Sequence, residues 1–379
     1  MDHLKLREFH RHRGGHFTQV NGAEAVNDYG AWVSEHAALR QTAGVLDLSF
    51  RSRLCLTGAG RARFLHGQIP NEASRLPTGE GLYTVMTTER GMLKTDLNLF
   101  ALPEEWLLDF EPGLAGGIAR RLAKYITEGK VRVTDTARRY GLWSVQGPRA
   151  EAIIRTLDLG GKIPLQPYTS VRIAHADLGE LHLLNHARLI NFTPGAPYVV
   201  FSKGGFDLLV SHRAQPALAE RLLAAAKRHG GHLCGWQAFE AARIEAGIPR
   251  FGADMDETNH PLECRLEARG ITCKKGRFVG REAIQRLRTL HPLKQELRGL
   301  RLADQLPTQL RRGDKLFHDG KEAGYLTSVT WSPLLQANIG FGYVRHEANV
   351  LGTKLVLKHA GNETFATIVE LPFNAEALG

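Results

Sequence analysis

Three polar side chains stand at alternate positions in the segment MLKTDLNLF (92–100): Lys94, Asp96 and Asn98. In an extended strand successive side chains point to opposite faces, so these three share one face with Phe100, while Leu93, Thr95, Leu97 and Leu99 share the other. An amine, an acid and an amide on a rigid strand can orient a polar ligand and hold or move a proton at one of its nitrogens. The same alternation also describes the solvated outer face of an antiparallel sheet, and the pattern by itself favours that reading.

Other spacings with a known chemistry are broken. VRHEANV (344–350) carries His346 and Glu347 but has Val350 where a zinc helix needs its second histidine. His10, His12 and His16 could chelate a metal, yet they sit in a charged N-terminal stretch that reads as a mobile tail, so no metal-ligand set is expected. TGAGRAR (57–63) opens like a dinucleotide fingerprint but has Arg63 or Phe64 in place of the third glycine, and nothing matches a P-loop. The four cysteines, Cys55, Cys234, Cys264 and Cys273, show no CxxC spacing.

The elements that must carry such residues are mixed. SRLCLTG (52–58) reads as a strand followed by the helix RARFLHGQ, and GLWSVQG (141–147) as a strand followed by the helix PRAEAIIRTL (148–157), with proline at its first position. This recurrence hints at two related subdomains. Further strands are expected at 93–100, 106–110, 131–134, 170–175, 181–185, 197–202 and 206–211, and helices at 113–125, 216–229, 236–246 and 280–289. From 297 to 373 the helical period disappears and short strands and turn pairs take over, which marks a separate β-barrel or sandwich.

A chain of 379 residues calls for more than one core. Its formal charge of +10 suits a small polyanionic ligand such as a polycarboxylate, or simply solubility. Acids and bases are interspersed without basic–aromatic interleaving, which argues against a nucleic-acid partner. No apolar stretch is long enough to span a membrane, the first residues lack the apolar region of a secretory signal, and the cysteines suit a reducing compartment; a cytoplasmic location is the expectation.

The segments AGVLDLSFRSRLCLTGAGRARFLHGQIPNE, GLYTVMTTERGMLKTDLNLF, SVQGPRA, ARIEAGIPRFGADMDETNHPLE, KKGRFVGREA and TSVTWSPLLQANIGFGYV occur in the order and at about the intervals of the aminomethyltransferase superfamily, which the chain resembles over about residues 30–373. That superfamily includes the glycine-cleavage T-protein and the YgfZ-like folate-binding proteins. The resemblance implies an α+β, three-domain fold around a central channel that holds tetrahydrofolate, with a folate-binding region of two related subdomains at 1–290 and a C-terminal β-barrel at 297–375. It makes Asp96 the catalytic carboxylate near the folate nitrogen that receives the carbon unit, with Thr95 replacing a neighbouring acid of T-proteins. It also places Tyr83, Asp207, Glu111, Phe239 and Arg51 among the folate-binding positions. Asp207 stands where the family has the glutamate that binds the pterin, Glu111 where it has an asparagine, and Phe239 where T-proteins have an arginine. The implied activity is transfer of a one-carbon unit from an amine-type donor to tetrahydrofolate. The alternative is a non-catalytic YgfZ-like accessory protein for iron–sulfur enzyme maturation, against which Arg277 replaces the cysteine of that branch. Implied partners are folate, including its polyglutamylated form, and an acidic carrier protein or an iron–sulfur client enzyme.

Overall fold

The computed structural model describes residues 3–127, 129–190, 204–269, 271, 275–289, 292–306 and 309–373. The strand expected at 197–202, and Cys273, lie outside them.

Two antiparallel sheets share one order of elements. In the first, the strand Ser52–Thr57 turns at Gly58 into the helix Arg61–Gln68; a meander Gly81–Thr87, Leu93–Ala101, Trp106–Phe110 follows, then the helix Ala115–Lys124 and the edge strand Arg132–Asp135 beside Ser52–Thr57. The second repeats this with Tyr140–Gln146, Gly147, the helix Ala150–Thr156, a meander Ser170–His175, Gly179–Asn185, Gly205–Ser211, and the helix Gln215–Arg228. Here the early strand Gly44–Asp47 is inserted next to Tyr140–Gln146, and the short strand His232–Leu233 joins it in parallel. Both turn glycines have positive φ, +99° at Gly58 and +132° at Gly147. A Cβ at Gly58 would lie 2.1 Å from the Lys130 carbonyl oxygen, and one at Gly147 2.7 Å from that of Thr42. Each strand–glycine–helix unit is therefore a close backbone crossing that only glycine permits.

From Gln295 onward six strands form a closed barrel in the order Gln295–Leu302, Ala337–Arg345, Lys321–Ser332, Lys315–His318, Lys354–His359, Asn362–Val369, the last returning to the first. Closure leaves no open edge. The helix Trp236–Glu245 bridges the units: it packs on the barrel strands Lys321–Ser332 and Ala337–Arg345, on the helix Trp32–Gln41 and on the strand Ala23–Asp28. Eight of its ten residues are buried, Arg243 and Glu245 among them. One apolar cluster joins Tyr83, Val85 and Leu93 of the first sheet to Ile244, Phe251, Phe341 and Tyr343; another joins Phe100 and Leu107 to Leu46, Leu184, Leu209 and Phe239.

Three expectations need correction. The N-terminal histidines are not in a loose tail: His10 lies in the helix Arg7–Arg11, fully buried, with Nε2 2.9 Å from Asp47 Oδ2 and Nδ1 2.8 Å from the Tyr29 hydroxyl. Leu4 and Phe9 bring it there, each packed against the core. Nor is the Asp96 face of its strand wholly solvated: Asn98 is 9% exposed and Phe100 fully buried, while Lys94 and Asp96 are half-buried. The helix after Gly147 begins at Ala150, two residues beyond Pro148.

Candidate functional site

Asp96 and Asn98 of the strand Leu93–Ala101 form one wall of a cavity of about 400 Å³, bounded also by Gly81–Tyr83, the Pro167–Tyr168 turn, the segment 186–190, Phe239 and the segment 248–250. That volume and its aromatic walls suit a small organic ligand. Asp96, Tyr83, Arg51, Glu111 and Phe239 all line it. The Tyr83 hydroxyl donates to Asp96 Oδ2 at 3.0 Å, and the Tyr168 hydroxyl to Asn98 Oδ1 at 2.9 Å.

Arg51 sits at the start of the strand Ser52–Thr57, in a turn fastened by its neighbour. The Arg53 guanidinium, fully buried, donates to the carbonyls of Leu48, Ser49, Arg51 and Tyr140, and burial lowers its pKa to about 10. Thus clamped, the turn points Arg51 at two acids. Its Nε donates to Asp109 Oδ1 at 2.9 Å and its Nη1 to Glu111 Oε1 at 2.5 Å. The other oxygen of Glu111 takes Arg250 Nη1 at 3.2 Å, and Arg250 lies 5.2 Å from the Trp236 ring centroid. Both Glu111 oxygens are thus engaged, and its part here is to hold two arginines against the cavity.

Asp207 is placed differently. It is fully buried behind the wall: Arg188 donates Nε to it at 3.1 Å and Nη2 at 2.7 Å, and His186 Nδ1 approaches Oδ2 to 2.8 Å. Arg188 and His186, not Asp207, line the cavity. Arg188 Nη2 also donates to Asp109 Oδ2 at 3.0 Å, which links the two sheets through one arginine. Burial raises the pKa of Asp109, but Arg188 and Arg51 outweigh it and hold this carboxylate well below its ordinary range. The same competition, with Arg188 and then His186 prevailing over burial, lowers Asp207. On the far side burial is again outweighed, by Arg243 and Arg250, and Glu240 falls to about 2. Among the described residues no cluster of histidine, cysteine and acid side chains could hold a metal ion.

Asp109, His186, Arg188 and Arg250 are site residues that the sequence reading missed. Asp109 sits in WLLDF, an otherwise apolar strand whose five residues are all buried, and an acid in such a run is the one available signal. For His186 and Arg188 there is none, because their roles come from a register across two sheets.

Two repeated sheets, a bridging helix and a closed barrel define a multidomain α+β protein, and a charged cavity sized for a small molecule lies between the sheets and that helix. The profile of the GCVT N-terminal domain matches residues 6–275, and that of the glycine cleavage T-protein C-terminal barrel domain residues 295–374. The chain belongs to the glycine cleavage T-protein family. It is similar to an aminomethyltransferase of Synechococcus sp. (strain RCC307), 30% identical over 374 residues that cover 98% of this chain and 99% of the relative. It is also similar to one of Mycobacterium avium (strain 104), 28% identical, covering 98% and 97%. The fold is that of the glycine cleavage system aminomethyltransferase T from Bartonella henselae, with a TM-score of 0.85 at 24% identity over 99% of this chain and 98% of that one. No helix among the described residues is long and apolar enough to cross a membrane.

Proposed function

We propose that the cavity binds tetrahydrofolate and that the protein transfers a one-carbon unit to it from an amine-bearing donor, with Asp96 as the catalytic carboxylate. The observation that carries this reading is the Tyr83–Asp96 pair on the wall of a cavity sized for a small molecule, in a chain of this family. As the new carbon–nitrogen bond forms and the donor's own carbon–nitrogen bond breaks, its electron pair leaving with the amine, the folate nitrogen must lose a proton, which Asp96 accepts, and the departing amine takes one up. Tyr83 fixes the carboxylate by donating to one oxygen, so that the acid is aimed before the ligand arrives. Phe239 and Tyr168 offer flat apolar surface for the ring, while Arg51 and Arg250, held by Asp109, Glu111 and Glu240, orient polar groups. A polyglutamylated folate or an acidic carrier protein would suit a chain of formal charge +10.

Full-length relatives named aminomethyltransferase do not favour the accessory role in iron–sulfur maturation. Calorimetry with tetrahydrofolate and its 5-formyl analogue, beside a nucleic-acid control, tests the reading. Saturable one-to-one folate binding with no binding of nucleic acid supports it, and absence of folate binding sinks it.

A further inference from the structure

The carboxylate that the resemblance assigns to the pterin is already occupied in this chain. Asp207 accepts from Arg188 Nε and Nη2 and from His186 Nδ1, and it lies wholly beneath the cavity wall. What the wall presents instead are the parts of those two residues that Asp207 does not use. Among the described residues neither Arg188 Nη1 nor His186 Nε2 has a hydrogen-bond partner, and both residues line the cavity. Arg188 Nη1 is a donor. His186 gives its Nδ1 hydrogen to an ionised acid, and burial and then Arg188 push its pKa down, against the pull of Asp207. The ring is neutral near pH 7, and its Nε2 is an acceptor. One carboxylate oxygen, Asp207 Oδ2, holds both residues in place, at 2.7 Å from Arg188 Nη2 and 2.8 Å from His186 Nδ1. Beside them Tyr168 stacks on Phe100 with ring centroids 5.7 Å apart, a flat platform next to the pair.

We propose that Arg188 and His186 select the lactam edge of a ring ligand, a carbonyl oxygen flanked by a ring N–H, with Arg188 Nη1 donating to the carbonyl and His186 Nε2 accepting from the N–H. Asp207 is then a positioning residue rather than a ligand contact. The inference rests on the folate reading, since the pterin of tetrahydrofolate carries such an edge at O4 and N3–H. An acid in direct contact would accept from donors, so it would welcome a 4-amino group in place of the 4-oxo group. The Arg188–His186 pair does the opposite: a 4-amino-4-deoxy ring sets a donor against the guanidinium and a bare nitrogen against Nε2, and both bonds are lost.

Calorimetry on the full chain with tetrahydrofolate and its 4-amino-4-deoxy analogue decides this. The wild type should prefer the 4-oxo ligand by about tenfold or more, the scale on which a site built for a polar edge rejects a mismatched one. Arg188→Lys keeps a cation for Asp109 and Asp207 but lacks the second terminal nitrogen, and it should shrink that preference to less than about threefold. If both ligands bind and the wild type takes the 4-amino analogue equally well or better, the folate reading stands and the lactam inference alone is overturned. Binding of neither ligand overturns both. The wild-type ratio is decisive even if the variant does not fold.

Discussion

Tyr83 and Asp96 meet on a diagonal of one sheet: Tyr83 pairs with Asn98 and Val85 with Asp96, yet the Tyr83 hydroxyl reaches Asp96 Oδ2 at 3.0 Å. Diagonal neighbours on one face lie within reach of an aromatic side chain. The rigidity of two paired strands is thereby passed to the carboxylate. A loop acid would have to be ordered at each encounter, whereas this one is set by the fold.

Asp96→Asn keeps the volume and one acceptor oxygen while removing charge and basicity. Tetrahydrofolate affinity should change little, and turnover should fall by about two orders of magnitude or more, the usual scale for a positioned acid–base group. Tyr83→Phe removes the donor at Asp96 Oδ2 and should cost about tenfold or more in turnover, as expected for a hydrogen bond to a charged group. The assay is one-carbon transfer from a panel of methylamine and aminomethyl donors. Full turnover by Asp96→Asn would remove this residue from the chemistry.

Arg51 carries a second expectation. It is 7% exposed and pairs with Asp109 and Glu111. Arg51→Met strips Asp109 of one of its two arginines and Glu111 of one of its two. Urea unfolding should show a loss of about 3 kcal/mol, the scale for breaking a buried ion pair from one side. Adding Glu111→Gln to Arg51→Met should recover part of that loss, because the second change neutralises a charge the first one stranded. A simple sum of two losses would mean the groups do not act as a network.

How legible the molecule is in its sequence follows from which forces act locally. The helices Trp236–Glu245 and Gln215–Arg228 lie within one residue of their expected bounds, because amphipathic period, the helix-starting Pro216 and terminal cations are properties of a few turns. The barrel shows as an end of helical period near 297. The helix Trp32–Gln41 and the hairpin His16–Asp28 escape such a reading, since His36 and Glu35 are buried polar residues whose partners, Glu245 and the Gly235 amide, are about 200 positions away. The site divides the same way. Asp96 stands out by alternation within one strand, but its face reads as solvated because the units that cover it are remote in sequence. Arg188 looks like any surface arginine.

The paired glycine turns can be tested against helix glycines in the same chain. Gly58→Ala would push a Cβ to 2.1 Å from the Lys130 carbonyl oxygen at a φ of +99°, so a loss of at least about 1–3 kcal/mol is expected. Gly117, in the helix Ala115–Lys124, is exposed, and a methyl group added there would meet nothing within 4 Å; Gly117→Ala should gain about 0.5–1 kcal/mol. Thermal unfolding of both variants beside the wild type checks the contrast, and a neutral Gly58→Ala would mean the crossing is slack.

His260 predicts an acid-sensitive window. It is 3% exposed, its Nε2 is buried with no hydrogen-bond partner among the described residues, and Nδ1 accepts from the Leu262 amide at 3.3 Å. Burial lowers its pKa to about 4 from an ordinary 6.5. Between those values the unfolded chain binds a proton that the folded protein refuses, so the contribution of this residue to stability is full above pH 6.5 and is lost as pH drops toward 4. The full loss is on the order of 3 kcal/mol, each pKa unit being worth about 1.4 kcal/mol. His260→Gln does not titrate. Other groups with lowered pKa values, such as His186 and Asp109, remain in both proteins and cancel in the difference. Urea midpoints at about pH 7, 6, 5 and 4 should therefore decline less steeply for His260→Gln than for the wild type, with the gap opening between pH 6.5 and 4. Parallel profiles would show that His260 takes up its proton in the folded state as readily as in the unfolded one.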